Sequence, residues 1–280
     1  MSHYYSPLSA IELRGPQDRR PAKITVAPNG ARRNKSDHPH LPMTIPEIVA
    51  TADACYRAGA DEIHLHVRDE NGAHSIDAGL YAETIAAVAE AAPLMTVQIT
   101  TESAGIFDVK TQLATLRALN PAAASISIRE INRDRKRAAS VYAQAQQSGT
   151  QVQHILYDHD DLKRLRRWLD NGTVPEHMRD VLMVFGAYHP PRHAQPQELS
   201  GFLTALGRDF PDWTICAFGP HELDVAEVAL WAGGNVRIGF ENNLFGPDGK
   251  HAASNAANIA YVVSLAHQMG RPLLREVSTP

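Results

Sequence analysis

Ala58-Gly59-Ala60-Asp61-Glu62-Ile63-His64-Leu65-His66-Val67-Arg68-Asp69 holds a helix stop, a β-strand and a row of reactive side chains in one stretch. Gly59 stands where the amphipathic run 45–57 should end, because glycine enters the left-handed conformation that closes a helix without steric cost. Residues 62–67 then read as a strand, and alternation of side chains puts His64, His66 and Arg68 on one face. Two imidazoles facing the same way are either hydrogen-bonded core histidines or a working pair, and the motif alone leaves both readings open.

Outward from this block the same helix, stop and strand order repeats. Strands are expected at 23–27, 62–67, 94–100, 124–128, 151–157, 181–185, 213–218 and 236–240. Between and after them, apolar residues at helical spacing predict helices at 45–57, 78–91, 113–119, 135–147, 161–169, 196–206, 223–231 and 256–267. Thr44-Ile45-Pro46-Glu47 has the form of a capping box, and Gly149 marks a second helix end. Eight β-then-α units in a chain of this length predict an α/β fold of the (β/α)8 TIM-barrel type. An open doubly wound sheet is the competing architecture, but no G-x-G-x-x-G follows the first strand. Residues 1–20 read as an N-terminal extension and 21–280 as one barrel domain. The proline-rich stretch 188–197 after the sixth strand forbids regular structure and falls where a lid over the active face would lie.

Composition narrows the partners. The chain has 280 residues and a formal net charge of −4, which favours neither nucleic acid nor a membrane surface. Its basic stretch 14–35 reads as a solvated face or an anion site. Two cysteines, Cys55 and Cys216, exclude a disulfide framework and a cysteine-rich metal knuckle. No apolar run approaches the roughly 20 residues of a membrane span, and the first residues lack a signal-peptide layout, so a cytoplasmic location is expected.

Barrel enzymes carry their chemistry at the C-terminal ends of the strands. Closure puts the eighth strand beside the first and one strand away from the second, so Glu241 can approach His64 and His66. Two imidazoles and a carboxylate suit a catalytic divalent metal, zinc above all, with positions left open. Arg237 shares the face of Glu241, where it either pairs with an inward carboxylate or holds substrate. Thr100 and Thr101 end the third strand. Ser125, Ser127 and Arg129 are expected on one face of the fourth, and Asn29 and Arg32 follow the first as contacts for an anionic substrate group. His154 reads as a satisfied core histidine. The turn at Phe218-Gly219-Pro220-His221-Glu222 leads into a helix N-terminus able to hold an anion.

These blocks resemble the beta-keto acid cleavage enzyme family over nearly the whole chain after the extension. The carriers are Asn29-Gly30-Ala31-Arg32, Asp37-His38-Pro39-His40-Leu41-Pro42-Met43-Thr44, the block 58–69 with Gly72 and Ser75, Gln98-Ile99-Thr100-Thr101, and Gly233-Gly234-Asn235-Val236-Arg237-Ile238-Gly239-Phe240-Glu241-Asn242-Asn243. The resemblance implies a zinc-dependent barrel that condenses a beta-keto acid with acetyl-CoA, giving acetoacetate and an acyl-CoA through enolate and retro-Claisen steps. By position it implies His64, His66 and Glu241 as ligands of Zn2+ or another divalent metal. Thr100 would hold the substrate carboxylate, and Arg237 would work with a carboxylate base. Asn242 occupies the catalytic position where the best-known member has that base, an aspartate, so Asp158, Glu102 and His154 become candidates for its work. Arg32 stands where that member has a glutamate facing an amino group, and the reversed sign predicts a substrate with a neutral or anionic tail. A homo-oligomer, such as a tetramer, is also implied. Rival expectations are a metal-dependent aldolase or lyase, a hydrolase of the amidohydrolase type, and a relative without cleavage activity.

Overall fold

The computed structural model describes residues 20–188 and 190–275. Nearly all of the expected N-terminal extension, His189 of the expected lid and residues 276–280 lie outside the described residues.

Eight parallel strands close into a barrel: β1 Ile24–Val26, β2 Glu62–Leu65, β3 Thr96–Thr100, β4 Ala123–Ser127, β5 Gln151–Leu156, β6 Asp180–Phe185, β7 Trp213–Ala217 and β8 Asn235–Ile238. The seam is β1, which pairs with β2 (Thr25 opposite Glu62) and with β8 (Thr25 opposite Arg237). First and last strands are therefore neighbours, as the expected closure required. The helices α1 Ile45–Ala58, α2 Ala78–Ala91, α3 Val109–Leu119, α4 Arg135–Ser148, α5 His159–Asp170, α6 Glu198–Leu206, α7 Glu222–Ala232 and α8 Asn255–Gln268 alternate with the strands. Among the described residues no helix is long and apolar enough to cross a membrane.

Local chemistry sets the boundaries. The Glu47 carboxylate accepts the N–H groups of Met43 and Thr44 at the start of α1, and Gly59 (φ +112) and Gly149 (φ +68) close α1 and α4 in the left-handed region. Asp108 caps α3 one turn earlier than the expected start at 113. Two strand ends also differ from expectation. After β2 the chain leaves the barrel, and Val67–Arg68 pairs antiparallel with His74–Ser75 in a short hairpin. β4 stops at Ser127, and Ile128–Ile131 is a helical turn. Arg129 therefore does not share the inward face of Ser125 and Ser127; it bonds to Asp158 and Asp161 outside the barrel.

Branched and aromatic side chains between strands and helices form the main core. A second, smaller apolar wall of Ile155, Leu182, Val184 and Cys216 comes from alternating positions of β5, β6 and β7, with Tyr157 and Phe218 packed against it. The remaining strands contribute buried polar groups: Thr25, Glu62, His64, Gln98, Ser125 and Arg237. Toward the C-terminal ends of the strands the barrel interior is thus apolar on β5, β6 and β7 and polar on the others, while nearer the N-terminal ends β5 and β7 also bury polar side chains, Gln153 and Thr214.

Gly239 makes the sharp exit from β8. Its φ is +144, and a Cβ there would lie 2.4 Å from the Ala27 carbonyl oxygen and 2.9 Å from Asn255 Oδ1. A Gly239→Ala chain is expected to lose about 3 kcal/mol of stability from backbone strain and overlap. Gly249→Ala, at φ +73 with open space around it, should lose only about 1–2 kcal/mol. Urea denaturation midpoints compare the two, and equal losses would count against the close approach as the cause.

Candidate metal centre and active site

His64 leaves β2 pointing inward, His66 follows one residue past its end, and Glu241 comes from the turn after β8. One ligand atom from each lies within 4.8 Å of the others, and all three residues are buried. Glu241 Oε2 is 3.7 Å from His64 Nε2 and 3.6 Å from His66 Nε2. His66 is fully buried, yet neither ring nitrogen has a hydrogen-bond partner among the described residues, and Glu241 Oε2 has none either. Buried polar atoms without partners are costly, so this group fits a ligand that it surrounds. Burial, with Arg237 next for His64 and His74 next for His66, pushes both imidazoles well below their usual pKa. They are neutral at physiological pH, the form in which histidine binds a metal.

The turn that carries Glu241 is tied down along its backbone. Ala27 O accepts Glu241 N–H, Arg33 donates to the carbonyls of Phe240 and Asn242, and Asn255 Oδ1 accepts Phe240 N–H. Tyr188, the first residue of the expected lid, donates its hydroxyl to the Glu241 carbonyl and so reaches the turn that carries this carboxylate. The helix N-terminus expected to hold an anion is that of α7, and its first residue is itself an acid, buried against the turn after β8. Glu222, the first residue of α7, accepts from Gly239 N–H and Asn243 Nδ2, and burial pushes its carboxyl up to about 8.

Other expected residues divide into those at the centre and those engaged elsewhere. Arg237 Nη2 is 3.4 Å from Glu241 Oε1 and 3.4 Å from Cys216 Sγ, while its Nε and Nη1 are unpartnered. Thr100 Oγ1 accepts Glu102 N–H and lies 3.4 Å from Ser125 Oγ, and Ser127 Oγ is buried without a partner. Asn242 is wholly buried, and neither of its side-chain polar atoms has a partner among the described residues. Arg32 is exposed at the mouth, 5.7 Å from the Tyr188 ring centroid, and no described carboxylate lies within ion-pair distance of it. Thr101, in contrast, gives its hydroxyl to Ser125 O. Asn29 gives its amide nitrogen to the carbonyls of Pro42 and His66, which leaves only Oδ1 unpartnered. Arg68 turns back to the carbonyls of Gly30, Arg33 and Gly72 instead of the barrel axis.

Of the three base candidates, only Glu102 faces the centre. Its Oε2 is 3.9 Å from His66 Nε2, and burial, then Glu241 and Glu130, push its carboxyl up to about 7. Asp158 caps α5 and pairs with Arg129. His154 lies outside the barrel wall, bonded to Met178 O and 3.4 Å from the Tyr142 hydroxyl, as expected of a core histidine. His74 escaped the sequence reading. Its ring is 5.2 Å from that of His66, and its Nε2 meets Glu102 O, so the hairpin after β2 positions Glu102.

Comparison with known proteins gives the chain a family. Residues 21–278 match the family described as beta-keto acid cleavage enzyme. The 3-keto-5-aminohexanoate cleavage enzyme of Fusobacterium nucleatum subsp. nucleatum is 29% identical over 267 residues, 92% of this chain and 94% of that one. The 3-oxoadipate:acetyl-CoA acetyltransferase of Cupriavidus necator is 26% identical over 266 residues, 90% and 91% of the two chains. Among solved structures, the binary complex of ObcA with oxaloacetate superposes with a TM-score of 0.64 at 17% identity. That match takes in 84% of this chain and 65% of ObcA, a longer protein, and speaks to the barrel fold alone. With its family match spanning the barrel from first strand to last helix, this chain belongs to the beta-keto acid cleavage enzymes.

Proposed function

We propose that the chain condenses a beta-keto acid with acetyl-CoA at a divalent-metal centre held by His64, His66 and Glu241, releasing acetoacetate and the CoA thioester of the remaining acyl chain. The observation that carries this reading is the buried, unpartnered His66 and Glu241 Oε2 beside His64 in a chain of this family. A divalent ion at these residues, zinc by the preference of its donor set, supplies Lewis acidity for negative charge that develops on a keto oxygen.

The chain's own groups account for the rest. Glu102 takes the proton from C2 of the keto acid. The resulting carbanion attacks the thioester carbonyl and expels CoA thiolate. The thiolate then adds to the keto carbon and the bond from C2 breaks. Its electron pair stays on C2 of the nascent acetoacetate, and Glu102 returns the proton there. Arg237 has two unpartnered nitrogens with which to hold an oxygen bearing negative charge. Thr100 and Ser127 present hydroxyls to the substrate carboxylate, and the Asn242 amide adds a donor in place of a base. Acetoacetate release that requires both a beta-keto acid and acetyl-CoA tests the reading. Turnover without acetyl-CoA would favour an aldolase or hydrolase instead.

Arg32 bears on the tail of the acid. Arg33 and Arg68 spend their guanidinium groups on carbonyl oxygens, whereas Arg32 has no carboxylate partner among the described residues and is open to a ligand. Arg32→Glu is expected to lower kcat/KM about tenfold for beta-keto acids with a second carboxylate, the scale of one solvent-screened charged hydrogen bond. Acids with an uncharged tail should change little. Equal loss on both would remove Arg32 from substrate selection.

A further inference from the structure

The barrel interior contains a continuous hydrogen-bonded row from the metal centre to the opposite end of the barrel. His64 Nδ1 is 2.7 Å from Gln98 Oε1. Gln98 Nε2 donates to Gln153 Oε1 at 3.3 Å, and Gln153 Nε2 donates to Asp180 Oδ1 at 3.0 Å. Gln153 Nε2 also reaches Thr214 Oγ1 at 3.1 Å. Gln98 and Gln153 are both buried. Asp180 begins β6 and lines a cavity of about 1560 Å³ at the N-terminal ends of the strands, with Lys23, Gln151 and Trp213.

The row has only one direction. An ionised carboxylate accepts and cannot donate, so Gln153 must turn its NH2 to Asp180. Its carbonyl oxygen then faces Gln98, which must answer with its own NH2. The oxygen of Gln98 is left facing His64, and the ring must carry its proton on Nδ1. The Nε2 lone pair of His64 is thereby kept toward Glu241 and His66. Burial pushes the Asp180 carboxyl up to about 6, which still leaves it mostly ionised at neutral pH. Barrel interiors are usually filled by branched apolar residues, and two buried amides in their place are tolerated only when fully satisfied.

We infer that Asp180, through Gln153 and Gln98, is a remote positioning residue that fixes the tautomer of His64 for metal binding. The inference rests on the reading of His64, His66 and Glu241 as a metal set. Outer partners of a metal-bound histidine commonly change affinity 10–100-fold, and here the partner that sets the direction is three residues removed.

The test uses the full chain and two readouts besides turnover: Zn2+ affinity by competition with a chelator, and the His64 tautomer in metal-free protein by 15N chemical shifts. The wild type is expected to show Nδ1–H alone. Gln153→Met should give a mixture of tautomers and about tenfold weaker Zn2+ binding. The double variant Asp180→Asn with Gln153→Glu moves the acceptor-only group one step along the row and still faces the Gln98 NH2, so it should restore both values. Wild-type affinity and tautomer in Gln153→Met would overturn the relay. If Gln153→Met fails to fold, Asp180→Asn alone, which frees the direction of the row, is held to the same two outcomes. A wild type that binds no Zn2+ would sink the metal reading, while the tautomer would still judge the relay.

Discussion

A His66→Ala chain is expected to lose stoichiometric divalent metal and, with it, about three orders of magnitude in kcat/KM or more. The size follows from the several kcal/mol that a metal supplies to charge developing on a carbonyl oxygen, at about 1.4 kcal/mol per factor of ten. His66 is the most telling position because its ring is fully buried and neither nitrogen is spent on hydrogen bonding within the described residues. His64, in contrast, still has Gln98 to hold it if the centre fails. Elemental analysis after dialysis is the primary measurement. Retention of one ion per chain in His66→Ala would place the metal elsewhere, whatever happened to activity. Because alanine also opens a cavity, His66→Gln serves as the companion: it should fold like the wild type and bind metal poorly.

Glu102→Gln is expected to slow exchange of the C2 protons of a beta-keto acid with deuterated water by about 10²–10⁴-fold, the usual contribution of a positioned general base. The metal content should stay at the wild-type level, since Glu102 is 3.9 Å from His66 Nε2 and stands outside the triad. Glutamine keeps the shape and removes the proton acceptor, so exchange is read separately from later steps. Undiminished exchange would return the search for a base to other groups. In that case Asn242→Asp, which places a carboxylate directly after the metal-facing glutamate, would be the informative comparison.

The fold and the meeting of His64, His66 and Glu241 were legible for the same reason. Period-two alternation put His64 and His66 on one face, and the count of β-then-α units brought Glu241 to them across the seam. What the alternation could not convey is where a strand ends. Ile128 continues the apolar pattern of β4, yet the chain turns helical after Ser127 and Arg129 swings outward to Asp161. Arg68 kept the parity of the histidines but lies past the point where the chain leaves the barrel. Glu102 was one of three acceptors with no means of choosing among them, since its backbone is irregular and its neighbour His74 comes from a hairpin that only the structure displays. The row from His64 to Asp180 was hidden for a different reason. Its members lie on β2, β3, β5 and β6, and their meeting depends on the stagger of strands around a closed sheet.

The seam between β1 and β8 has one more consequence, for the history of each molecule instead of its chemistry. Thr25 meets Arg237 across more than two hundred residues of chain, so the ring cannot close until the last strand has been made. Contacts of such long range form slowly, because the long loop between them must be closed first. The imidazoles sit on one flank of this joint and Glu241 on the other. An ion bound there would also act as a clasp on the ring, adding about 4 kcal/mol when its free concentration is a thousand times its dissociation constant. Chains made in a metal-starved cell would then be the ones whose barrels most often reopen.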